Sequence, residues 1–162
     1  MDKIQIYGLI INIVIYIIIT TPVQIISFIK GIYKNRQKFI AILASCIIYF
    51  IIVSYVLYSF PYKIFSLFTS TRGIINYGVY VFKILFISSS LYAIKILIPK
   101  FIYYQTKTKK IAILVFSKTA LTIIFSVIGY LLFNFKGIFF TFPLIDFIYS
   151  IIYIYVFYKY RE

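Results

Sequence analysis

The residues of this chain that could do chemistry are few, and they stand inside strongly apolar sequence. Asp146 is the one acid away from the ends, the others being Asp2 and Glu162. Lys83 and Lys118 each interrupt a long apolar run, as do Asn12 and Gln24. A charge near the centre of a bilayer costs roughly 2.5 to 3.5 kcal/mol, so such residues should be paired, hydrated or in use. Counted at ~1.5 Å per residue, Lys83 and Asp146 lie about 14 and 12 Å below the same membrane boundary, which leaves an ion pair between them geometrically open. Lys118 lies about 10 Å from the opposite boundary, where reaching the headgroups competes with an inward role. Lys95, near the end of its segment, should reach the headgroups. Asp146, Lys83, Lys118, Asn12 and Gln24 are therefore the candidates for a substrate or ion pathway.

The residue types that are missing narrow the chemistry further. There is no histidine, and the only methionine is Met1. Haem ligation by His or Met, histidine-based zinc sites and Ser-His catalysis are excluded within this chain. Three carboxylates are too few for a carboxylate-rich metal site. Cys46, the single cysteine, cannot form an intramolecular disulfide and reads as a small apolar side chain. No Gly-rich phosphate loop and no nucleophile-base pair is present. Neither an enzyme nor a bound cofactor is expected.

The elements that must position these residues are five apolar stretches: Ile4 to Ile29, Phe39 to Phe60, Ile74 to Ile98, Ile111 to Phe133 and Ile138 to Tyr158. As helices they would measure about 31 to 39 Å, against a hydrocarbon core of about 30 Å. Barrel strands would need short segments alternating apolar and polar residues, which Ile13 to Ile19 does not supply. The chain is 64% hydrophobic, and its connections are too short to hold a soluble domain. The fold class is all-α: a polytopic membrane protein with five transmembrane helices in a single membrane domain, residues 1–162. The first stretch is too long for a cleavable signal peptide and should stay as the first helix.

Net charge is +14, yet the basic residues sit in short loops and form no stripe that would read nucleic acid. Alternate connections hold ten of them (Lys30, Lys34, Arg36, Lys38, Lys100, Lys107, Lys109, Lys110, Lys159 and Arg161) against four (Lys3, Lys63, Arg72 and Lys136). The positive-inside rule then puts the amino terminus outside and the carboxyl terminus in the cytoplasm, in what would be the cell membrane.

Within the stretches, polar residues recur at three- and four-residue spacing. Asn12, Tyr16, Thr20, Gln24 and Ser27 form one such stripe, with Pro22 expected to bend the helix. Asn76, Tyr80, Lys83 and Ser90 form a second, Lys118, Thr122, Ser126 and Gly129 a third, and Asp146, Tyr149, Ser150 and Tyr153 a fourth. Such stripes should avoid lipid, either by lining a water-filled path or by packing against a partner.

Several strings, taken in order, resemble the carboxyl-terminal part of a multidrug and toxic compound extrusion (MATE) transporter, from its eighth helix to its twelfth. They are Thr21 to Ser27 with Gly31 to Asn35, Lys63 to Thr69, Tyr103 to Thr106, Ser117-Lys118, Gly137-Ile138 and Phe142 to Asp146. The resemblance implies part of one lobe of a two-lobed antiporter that moves organic cations or other amphipathic solutes, coupled to a sodium or proton gradient. It matches Asp146 to the twelfth-helix aspartate and Lys118 to a position usually Arg. The family's coupling acids lie in helices this chain lacks or in the tenth, where Ile74 to Ile98 has no acid. A truncated product or half of a split transporter is then expected, with the missing amino-terminal lobe or a second copy as partner. The alternatives are a lipid-linked oligosaccharide flippase of the same superfamily, whose headgroup is anionic, and a non-transporting membrane subunit or scaffold.

Overall fold

The computed structural model describes residues 3–107 and 109–159, and Arg161 of the charge count lies outside them. The described residues are almost wholly helical. Helix α1 is Lys3–Ser27, α2 Arg36–Ser59, α3 Pro61–Ser66, α4 Arg72–Leu85 and α5 Tyr92–Thr106. A helical stretch Lys109–Lys159 follows, broken at Phe133 and Asn134. Its limbs, residues 109–132 and 135–159, are called α6 and α7. Four helices are long and apolar enough to cross a membrane: Lys3–Ser27, Arg36–Ser59, Arg72–Thr106 and Lys109–Lys159.

Local sequence explains where the helices start and stop. Asn35 caps α2 by accepting from the Lys38 amide at 3.1 Å, and Pro61 opens α3 at a position where its missing N–H costs nothing. Helix α5 ends on Lys107 in the left-handed conformation (φ 49°). Between α4 and α5 the chain tightens into a 3₁₀ turn, Phe86–Leu91. Ser89 donates to the Phe86 carbonyl at 2.7 Å in that turn, offering the backbone a local alternative to the α-helical ladder.

The last helical stretch is a hairpin. Asn134 takes φ 55°, a conformation that asparagine tolerates better than most residues. Across the fold, Ser117 hydrogen-bonds Tyr149 at 2.8 Å and Thr141 donates to the Phe125 carbonyl at 3.4 Å. These pairs lie sixteen and eight residues on either side of Phe133, and Gly129 faces Gly137 at four. The limbs touch through glycine because nothing larger fits: a Cβ on Gly129 would stand 2.8 Å from the Gly137 carbonyl oxygen. The break sits at Phe133 and Asn134, and α7 is already helical when it reaches Gly137.

The core is aromatic and centred on α5. Phe39, Phe50, Phe65 and Phe82 are fully buried, and the Phe39 ring stacks on Phe101 at 4.2 Å. Elsewhere the surface is apolar: Ile17, Ile51, Ile124 and Leu131 are exposed, as helices in contact with acyl chains require. Cys46 is buried with its thiol free.

Most of the Asn12 to Ser27 stripe turns inward, with Tyr16 half-buried and Gln24 exposed. Asn12, Thr20 and Ser27 are buried, and the Asn12 side-chain amide donates to the Gly78 carbonyl of α4 at 3.1 Å. Helix α1 continues through Pro22 to Ser27. The stripe of the third stretch does not hold together. Asn76, Tyr80 and Lys83 are exposed, whereas Ser90 is half-buried and its neighbours Ser88 and Ser89 are buried. A 3₁₀ turn advances about 120° per residue against about 100° in an α-helix, so six residues rotate everything below them by roughly 120°.

Candidate functional site

Asp146 is held by two lysines at once. Its Oδ2 accepts from Lys95 Nζ of α5 and, at 3.0 Å, from Ser88 Oγ of the 3₁₀ turn. Its Oδ1 lies 2.9 Å from Lys118 Nζ of α6. The side chains are mostly withdrawn from the surface, with exposures of 7% for Lys95, 15% for Asp146 and 22% for Lys118. Each partner has a local cause. Ser88 reaches the carboxylate because the 3₁₀ turn brings it round, and Lys118 does so because the hairpin sets the middle of α6 against the middle of α7.

Two expectations are corrected here. Lys95 does not reach for headgroups, because α5 runs through Pro99 to Thr106 and leaves Lys95 eleven residues from the helix end, about 16 Å along the axis. Lys83 does not pair with Asp146. It is exposed, with Nζ 5.8 Å from the centre of the Tyr58 ring, on the far side of the 3₁₀ turn that rotates α4 away from α5. Lys118 takes the inward of its two open roles.

The cluster opens on a cavity of about 820 Å³ between α1, α5, α6 and α7. Its polar groups are Lys95, Lys118 and Asp146 with Thr119, Thr122 and Ser126, and tyrosines from three helices, Tyr16, Tyr92 and Tyr153, stand around them. Ile96, Val115, Ile123 and Phe142 supply apolar wall. Ser126 Oγ is buried without a hydrogen-bond partner among the described residues. Lys95 Nζ also lies 5.4 Å from the Tyr92 ring centre, a cation-π contact that supports its charge.

The other sequence candidates act as framework. Gln24 donates to the Tyr92 hydroxyl at 2.8 Å and so fixes a ring on the cavity wall, while Asn12 ties α1 to α4 away from the cavity. Lys95, Ser88, Tyr16 and Tyr92 were not among the candidates. The signal for Lys95 is a charge inside an apolar run, three residues before that run ends at Ile98. A second, smaller depression of about 520 Å³ carries Lys30 and Lys100 and has no acid in its lining; Lys100 Nζ donates there to Ser27 Oγ at 2.7 Å.

This arrangement can hold an ionic headgroup beside an apolar chain. Among the described residues no group of His, Cys, Asp and Glu could hold a metal ion. Comparison with known proteins finds no matching family model, no matching curated protein and no matching solved structure.

Proposed function

We propose that this chain is one lobe of a membrane transporter, with the cavity between α1, α5, α6 and α7 as the wall that meets the solute. The observation that carries the reading is the Lys95-Asp146-Lys118 cluster, placed deep in an apolar bundle and open on one side to a space of about 820 Å³. Ionised groups at such depth mark transport paths more often than scaffolding, and transporter sites lie between bundles near the bilayer midplane. The resemblance to the last five helices of a MATE transporter supports the same reading. So does the hairpin, which divides Lys109–Lys159 into two limbs; on this reading each limb is a span and the chain has five. With an outside amino terminus and a cytoplasmic carboxyl terminus, the turn at Phe133 and Asn134 faces outward.

Alternating access needs a second bundle against the cavity. Either a second copy of the chain or an amino-terminal lobe supplies it. A scaffold subunit is the rival, and it has less use for a charged cluster left open on one side. Cysteine substitution at the cavity rim tests the reading. In a Cys46→Ser background, Thr119→Cys or Tyr130→Cys oxidised in native membranes should give a crosslinked product, whose mass distinguishes a copy of this chain from another polypeptide. Rim cysteines that stay monomeric, with adducts forming at exposed Ile48→Cys instead, would refute a second lobe at the cavity.

A further inference from the structure

From the charge of the cluster we infer that the cavity binds an anionic amphiphile, a carboxylate or phosphate ester carrying an apolar tail; this deepens the transport reading and rests on it. Two lysines share one aspartate, which leaves one positive charge uncompensated. Nothing else in the fold can balance it, because Asp146 is the only acid among the described residues. With both lysines charged, neutrality there requires a negative charge from outside the described residues. A bound cation would instead raise the excess to two in surroundings where unpaired charge is costly.

The two lysines are not equivalent, and the difference says where the ligand sits. Lys95 is 7% exposed and has the carboxylate on one side and the Tyr92 ring on another. Lys118 is 22% exposed, lines the cavity, and is paired through Asp146 Oδ1 alone. Lys118 is therefore the ammonium that faces an incoming anion, and its remaining N–H groups are donors for it. Thr122 and Ser126 follow at i+4 and i+8 on the same face of α6, the latter with its buried hydroxyl unused. Thr122 gives its own proton to the Lys118 carbonyl at 2.8 Å, which leaves the Ser126 hydroxyl as the unused donor, about 12 Å along the helix from Lys118. Beside that face Ile123 and Phe142 provide a surface for an acyl chain. Organic cations, the substrates implied by the family resemblance, do not match this charge.

The test uses the full chain in nanodiscs of zwitterionic phosphatidylcholine, with 11-(dansylamino)undecanoic acid as fluorescent probe. Decanoate and decyl phosphate should displace the probe, and decyltrimethylammonium of the same tail length should not. Lys118→Gln should weaken probe binding at least about tenfold, and Lys118→Arg should keep it within about threefold. Lys95→Met, which leaves a neutral Asp146-Lys118 pair, should also weaken it about tenfold and guards against a Lys118 variant that merely misfolds. Lys83→Gln, remote from the cavity, should change nothing. Displacement by the trimethylammonium compound as effective as by decanoate would overturn the inference, as would unchanged affinity in both Lys118→Gln and Lys95→Met. A failure of the transport reading would look different: normal anion binding with no adduct at the cavity rim.

Discussion

At the residue scale, the carboxylate of Asp146 holds the site together. Removing it leaves two withdrawn ammonium groups facing each other across apolar surroundings, while removing Lys95 leaves one intact pair. Stranding buried charge by deleting its partner typically costs 3 to 5 kcal/mol. Asp146→Asn should therefore lose about 3 kcal/mol of stability, and Lys95→Met distinctly less, in thermal unfolding in detergent. Equal loss in the two variants would mean that Lys118 does not compensate Asp146. Sequence alone shows that Asp146 needs a partner but not which one. The choice turned on a helix running on past Pro99 and on a six-residue change of helical pitch, and neither is a property of Lys83, Lys95 or Lys118 themselves.

At the element scale, apolar length and loop charge locate the helices well, because in hydrocarbon a long apolar run has few alternatives to helix. Boundaries and faces are harder to read. The Asn12 to Ser27 stripe is legible because α1 is one unbroken helix, and the Asn76 to Ser90 stripe is not, because Ser89 draws the backbone into a 3₁₀ turn. The hairpin is legible in part: Asn134 and Gly137 announce a turn, but the close contact of Gly129 with Gly137 depends on both limbs at once. That contact predicts a graded result. Gly137→Leu should destabilise the fold by about 1 to 3 kcal/mol through overpacking against the Gly129 backbone. Gly31→Leu, with open space around it, should be nearly silent in the same unfolding assay. A silent Gly137→Leu would mean that the limbs stand further apart.

At the scale of the whole molecule, the bundle combines an apolar outer surface with a cavity that holds the Lys95-Asp146-Lys118 cluster, sits between helices and is not closed on itself. A purely structural membrane subunit would gain stability by replacing such a cluster with packed apolar side chains. On the proposed transport reading the cavity is hydrated or occupied during use, and this central claim can be measured directly. In a Cys46→Ser background, Thr122→Cys on the cavity wall and Ile124→Cys on the exposed outer face of the same helix are treated in proteoliposomes with a membrane-impermeant, charged methanethiosulfonate reagent. Thr122→Cys should be modified and Ile124→Cys spared, since a thiol reacts as thiolate in water and is protected in lipid. A Thr122→Cys thiol as unreactive as Ile124→Cys would contradict a water-accessible path and leave the cluster a packing device.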